Sequence, residues 1–332
     1  MSNTRPLIEE SKDNIVWLDN TLDFVLSSAK ALAIPFVGIV VFLILWTAAA
    51  QSVKTSLGQF PGPAQVWEQF GSLYTEHQAA RQKEAEFYDR QEVRNAKRLA
   101  DDPSYETKIR AFTGKETFLD QIVTSLVTVM SGFLLAAVIA IPLGIAVGLN
   151  KTLNAAVNPI IQIFKPVSPL AWLPLVTILV SALYVTDDPM VAKAFIVSMI
   201  TVTLCCVWPM VINTSVGVAS IDSDLVNVSR VLRLPALKHV QKIVIPASIP
   251  MIFTGMRLSL GIAWMVLIAA EMLAQNPGLG KFVWDEFQNG SSSSLSRIMA
   301  AVVVIGIIGF LLDRGMLLLQ RWLSWDKASA TR

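Results

Sequence analysis

Long uncharged apolar runs separated by polar stretches set the pattern of this chain. No charge falls between Ala31 and Val53, Gln121 and Asn150, Pro166 and Thr186, or Ala194 and Ile221. Two later runs are charged only near their ends: Met251 to Leu273 with Arg257 and Glu271, and Arg297 to Gln320 with Asp313 and Arg314. A hydrocarbon layer about 30 Å thick needs about 20 apolar residues as a helix. Irregular backbone would leave polar groups unpaired in lipid. Six membrane helices are therefore predicted, near 31–50, 122–149, 168–185, 191–212, 252–273 and 298–320. A β-barrel would show short alternating segments instead. The fold class is all-α and polytopic.

The polar stretches differ from one another. Within residues 1–30, Ile15, Leu18, Leu22 and Leu26 share one helical face, which predicts an amphipathic segment at the membrane surface. The first span is no cleaved signal peptide, since it starts at residue 31 behind Glu9, Glu10, Asp13, Asp19 and Asp23. The insert at 51–120 holds nine acidic and nine basic side chains between Glu76 and Glu116. Its stretch from Glu76 to Ala100 is rich in helix formers, pairs Glu86 with Arg90 at i, i+4, and stops at Asp102-Pro103. It reads as a solvated helical hairpin outside the membrane or as a docking arm. A core at 121–325 and a tail at 326–332 complete the chain.

Composition agrees. Of 332 residues, 53% are hydrophobic and 16% charged, well below the quarter usual for soluble domains. Mean hydropathy is +0.54. A net charge of +2 gives no basic face for nucleic acid. Lys and Arg cluster in loops that face one side: Lys151 and Lys165, then Arg230, Arg233, Lys238 and Lys242, then Arg321, Lys327 and Arg332. The positive-inside rule makes that side cytoplasmic and puts both termini there. The insert is long enough to be exempt from the rule and falls outside.

Catalytic chemistry is missing. The two histidines, His77 and His239, stand alone, no metal-ligand spacing occurs, and no phosphate-binding GxxxxGK[ST] loop exists. Cys205 and Cys206, adjacent in an apolar run, read as small buried hydrophobes. Glu271 and Asp313 sit near helix ends, which speaks against ion-coupled secondary transport. An energy source would have to come from another chain.

The cytoplasmic stretch from Asp222 to Pro250 is too polar to span and too patterned to be slack. Leu225, Val228, Val231 and Leu232 mark one helical face; Leu237, Val240, Ile243 and Val244 mark a second, with Pro235 between them. Its spacing resembles the cytoplasmic signature of permease subunits of binding-protein-dependent ABC importers: Glu-Ala-Ala, three residues, Gly, nine residues, Ile, one residue, Leu-Pro. Aligned on Pro246, the ending is Ile243, Val244, Ile245, Pro246; the glycine position is Arg233; the Glu-Ala-Ala positions are Asn227, Val228 and Ser229. Pro235 is then the candidate for the bend. PGPAQVW at 61–67, PLGIAVGLN at 142–150, FKPVSPLAWLPL at 164–175, WPMVINTSVGV at 208–218 and GLGKFVWDEFQN at 278–289 extend the resemblance, most of all to nitrate-type permeases and their bicarbonate, cyanate, sulfonate and taurine relatives.

That resemblance implies a type I ABC importer permease architecture with two copies framing a pathway across the bacterial inner membrane. The knob at 222–246 would dock on a cytoplasmic ATPase through Asn227, Val228, Ser229, Leu232, Arg233, Pro235, Leu237, Ile243 and Pro246. A periplasmic protein would deliver the anion, nitrate or nitrite first, with sulfonate or taurine, bicarbonate and cyanate as alternatives. ATP would be used by the partner, and this chain would bind no cofactor or metal. A membrane scaffold or receptor subunit without transport is the competing class.

Pathway candidates are Arg257, Ser168, Thr177 and Thr201. Each has a plainer reading. The hydroxyls bond back to their own helices, and Arg257 snorkels or pairs. Trp172, Trp208 and Trp264 are candidates for a constriction. Gly144 and Gly148, four apart, predict close helix packing.

Overall fold

The computed structural model describes residues 33–55, 58–102, 104–107, 109–185, 191–291 and 293–323. The segments read as a surface helix at 1–30 and a tail at 326–332 lie outside them, as do residues 186–190. The chain forms two compact units, one up to Trp67 and one from Glu68 onward.

The first unit holds helix α1, Ala33–Ser52. A two-residue antiparallel pair follows, β1 Lys54–Thr55 and β2 Gly58–Gln59, which the hydrophobic pattern did not predict. The Trp46 indole N–H donates to the Pro61 carbonyl at 3.1 Å, tying the end of α1 to the segment after β2.

Helix α2, Pro63–Asp101, opens in the PGPAQVW run and covers 39 residues, about 58 Å at 1.5 Å each. The insert is not the helical hairpin expected from its composition. Residues 104–107 and 109–117 are non-helical and return along α2. The Gln91 side chain bonds both backbone groups of Arg110 at 2.8 Å, and Phe87 meets Phe112 at 5.4 Å between ring centroids. The side-chain amide thus supplies bonds that a second helix would have supplied internally.

Helix α3, Phe118–Leu149, starts on a capping box between Thr117 and Asp120. Helix α4, Lys151–Phe164, replaces the loop expected over 150–165; Asn150 caps it by accepting from Thr152 and Leu153 N–H groups. Helix α5, Pro169–Leu183, has Ser168 as its cap and proline at its first turn. Helices α4 and α5 meet at 99°, so the predicted third span is half of a bent pair. Helix α6 is Lys193–Ala219, α7 is Ser223–Val231, and α8 is Ala236–His239. A π-helical turn, Val240–Val244, joins α8 to α9, Ile245–Ala274. The Ile245 N–H reaches back to the Val240 carbonyl, the wide bond that makes room before Pro246, whose ring would crowd a regular turn. Helix α10 is Leu279–Asn289 and α11 is Ser294–Leu323.

Among the described residues five helical stretches are long and apolar enough to span: α1, α3, α6, Ala236–Ala274 and α11; the bent pair makes a sixth if it is one span. Helices α3, α6 and α9 pack side by side. A Cβ added at Gly144 would lie 2.6 Å from the Thr214 Cβ, and one at Gly148 would lie 2.7 Å from the Ser215 carbonyl oxygen. The two glycines do what their spacing predicted and let α3 and α6 touch. Between α6 and α9, the Ser259 hydroxyl donates to the Cys206 carbonyl at 2.9 Å. Cys206 is fully buried, and Cys205 and Cys206 are both free of a disulfide.

Candidate functional site

The stretch from Asp222 to Pro250 builds a knob. Asp222 caps α7 by accepting from the Asp224 N–H at 2.9 Å. At its far end the Leu234 N–H bonds the Ser229 carbonyl at 3.1 Å and the Arg233 N–H bonds the Arg230 carbonyl at 3.0 Å. These paired bonds close a helix through a left-handed residue, usually glycine. Here that residue is Arg233, with φ of 47°. The turn expected at the signature's glycine position is therefore kept, at a cost of roughly 1–2 kcal/mol for a side chain in that region. Pro235, extended at ψ 153°, then starts α8 from the capping position rather than as its first residue. Ser229 is buried, and its hydroxyl lies 2.7 Å from His239 Nδ1, which pins α8 onto α7.

The first apolar face is open. Leu225, Val228, Val231, Leu232 and Leu237 are all exposed, Val231 by 82%. Asn227, Arg233, Pro235 and Pro246 are exposed as well. The second face is not part of the projection. Val244 is buried with Ile145 and Val218, Val240 packs on that cluster, and Ile243 is half-buried. Those residues root the fifth span, so only Leu237 of that set faces outward. The physical reason is distance in sequence: the inner ends of α3 and α6 supply a cover that local periodicity cannot reveal.

Within the spans, the pathway candidates each have a partner. Arg257 Nη2 donates to Asp313 Oδ2 at 3.0 Å, and Nε bonds Oδ1, making a two-point pair between α9 and α11. Ser168 accepts from the Leu170 N–H at 3.3 Å as the cap of α5. Thr177 and Thr201 donate to the Leu173 and Val197 carbonyls of their own helices, each at 2.8 Å. Trp264 donates to the Ile305 carbonyl at 2.9 Å, while Trp172 and Trp208 both stack on Phe164.

Two polar networks were missed. Glu271 is fully buried, and its carboxylate accepts from the Ser125 hydroxyl at 2.8 and 2.9 Å and from the Gly280 N–H at 2.9 Å. The Leu279 N–H donates to Ser125 Oγ at 2.9 Å. The first two N–H groups of α10, which its glycine cap cannot satisfy, are thus met from α3 and α9. At the other, Arg297 holds Glu76 with bonds of 2.6 and 2.9 Å and sits 2.8 Å from Glu286. Lys281 pairs with Asp285 at 2.8 Å. Beside them, burial and then the Asp120 carboxylate push Glu116 above the ordinary carboxylate range. The signal available in sequence was the isolation of each charge, because a lone charge in an apolar run needs a partner.

Residues 139–325 match the family described as binding-protein-dependent transport system inner membrane component. The chain is 36% identical over 291 residues to a bicarbonate transport system permease protein, CmpB, of Synechococcus elongatus, covering 87% of this chain and 88% of that protein. It is 40% identical over 200 residues to the nitrate import permease protein NrtB of Synechocystis sp., covering 60% and 68%. Its fold is similar to the inward-facing MetNI methionine ABC transporter, with a TM-score of 0.53 at 15% identity, covering 62% of this chain and 95% of that one.

Proposed function

The chain belongs to the binding-protein-dependent transport system inner membrane component family, and from that premise we propose that it is the permease subunit of an ATP-driven importer for a small inorganic oxyanion, nitrate or nitrite in the first instance. The observation that carries this reading is the knob, whose apolar face is exposed and fixed in shape by the Arg233 turn and the Ser229–His239 contact. Such a patch on a cytoplasmic surface calls for a partner, and a separate ATPase fits it. Two copies of the chain frame the route, both termini lie in the cytoplasm, and a periplasmic protein presents the anion to the outer face. ATP binding by the partner moves the knobs and shifts the route between two states, each ligand favouring the state it binds better. Bicarbonate is the second reading, because the similarity to CmpB runs along nearly the whole chain.

ATP hydrolysis by the complex, assembled with its ATPase and binding protein and titrated with nitrate, bicarbonate, cyanate and taurine in turn, tests the substrate. Stimulation by nitrate at the lowest concentration is the expected result. A lowest half-saturation for bicarbonate would replace nitrate, and stimulation by none of the four would refute the anion class.

Arg257 acts on an anion only if the anion displaces Asp313. With the two-point pair in place, Arg257→Gln is expected to reduce the amount of assembled protein several-fold, since it leaves Asp313 a lone charge in an apolar helix. Transport per assembled complex should stay within about twofold of wild type. Loss of more than tenfold per complex, at normal yield, would put Arg257 in the anion's path.

A further inference from the structure

The bent pair α4–α5 breaks over Lys165–Ser168, and Lys165, Pro166 and Ser168 are exposed. Phe164 is the last residue of α4, and Trp172 lies in the first turn of α5. The Phe164 ring stacks on Trp172 at 5.8 Å and 27°, and on Trp208 of α6 at 5.9 Å and 11°. Both indole N–H groups are shielded, and neither has an acceptor. Trp46 and Trp264, by contrast, give their N–H groups to backbone carbonyls at 3.1 and 2.9 Å. An enclosed donor without an acceptor is costly and marks a place where a partner is missing.

We propose that the Trp172 and Trp208 N–H groups are anion-contacting donors of the pathway, unpaired in the state seen here and paired with the oxyanion as it passes the break; this rests on the importer reading above. Indole N–H donates and cannot accept, so the partner that pairs it is an acceptor, as an oxyanion is. The site is also neutral. A pathway must hold its ion firmly enough to admit it and weakly enough to release it, which two uncharged donors do better than an unpaired arginine. Of the pathway candidates named from sequence, Arg257 is neutralised by Asp313, and the hydroxyls of Ser168, Thr177 and Thr201 are engaged locally. A state that pairs two otherwise unmet donors is favoured by the anion itself, so substrate and route are coupled.

The test replaces each indole with a ring that lacks the N–H. Wild type, Trp172→Phe, Trp208→Phe and the double variant are reconstituted with ATPase and binding protein, and the anion moved per ATP hydrolysed is measured with nitrate and with bicarbonate. The double variant is expected to hydrolyse ATP normally when the binding protein docks and to move at least tenfold less anion per ATP, with each single variant intermediate. Phe164→Leu, which keeps both N–H groups, should retain at least half of the wild-type ratio. An unchanged ratio in the double variant would overturn the proposal, as would an equal loss in Phe164→Leu. If the double variant does not assemble, the single variants decide by the same ratio. A wild-type complex that moves neither anion would overturn the importer reading itself.

Discussion

Replacing Leu232 or Leu237 with aspartate is expected to leave the chain folded in the membrane and to disconnect it from its ATPase. Both side chains are more than 60% exposed, so a carboxylate there meets water in the isolated chain and costs the fold little. In the docked complex it would enter an apolar cleft. Removing a central apolar anchor from an interface costs roughly 2 kcal/mol, about thirtyfold in affinity, and a buried charge adds to that. Pull-down of the ATPase with detergent-solubilised variant should fall by that factor, and anion uptake should fall with it. Normal uptake and normal co-purification in both variants would remove the knob as the coupling element. Val244→Asp provides a contrast: Val244 is buried against Ile145 and Val218, so that variant should lose folded protein rather than partner.

The second large effect is expected at Gly280. A Cβ there would stand 2.1 Å from the Ile268 carbonyl oxygen and 2.9 Å from the Glu271 Cβ. The first contact is with backbone, so α9 and α10 must separate to accept it. Overpacking of this kind costs about 3 kcal/mol at the upper end of its usual range. Separation would also take the Gly280 N–H from Glu271 and the Leu279 N–H from Ser125, leaving the buried carboxylate with the Ser125 hydroxyl as its donor. Gly280→Ala should therefore abolish most of the monodisperse protein, measured by size-exclusion chromatography after extraction. Glu271→Gln keeps the size and one acceptor and should cost less, about 1–3 kcal/mol for bonds to a charged group. Equal yields of wild type and Gly280→Ala would contradict the close approach.

Much of this architecture was legible because spans are written in the simplest available code, runs without charge. The runs at Gln121 to Asn150 and Ala194 to Ile221 fall on α3 and α6, which pack through the glycines expected to join them. Residues 150–165 were misread because Lys151 and Lys165 bracket them as a polar loop. Asn150 as a cap and the i, i+4 series Leu153, Val157, Ile161 carried the helical signal, and Ile161 is the buried member of α4. The knob was located by spacing alone. That Arg233 adopts the glycine conformation could not be read, since the bonds from residues 233 and 234 decide it against the propensity of arginine. The partner of Arg257 lies 56 residues away on another helix, beyond any local pattern. The hydroxyl candidates are held locally, Ser168 by the Leu170 N–H and Thr177 and Thr201 by carbonyls of their own helices.

The most direct measurement of the central claim is ATP-driven uptake of labelled nitrate into vesicles bearing this chain and its ATPase, with binding protein supplied on the uptake side and ATP on the other. Uptake that needs all three proteins and stops with the Leu232→Asp and Leu237→Asp variants is the predicted result. Vigorous ATP hydrolysis by a complete complex with no nitrate or bicarbonate crossing the membrane would contradict it.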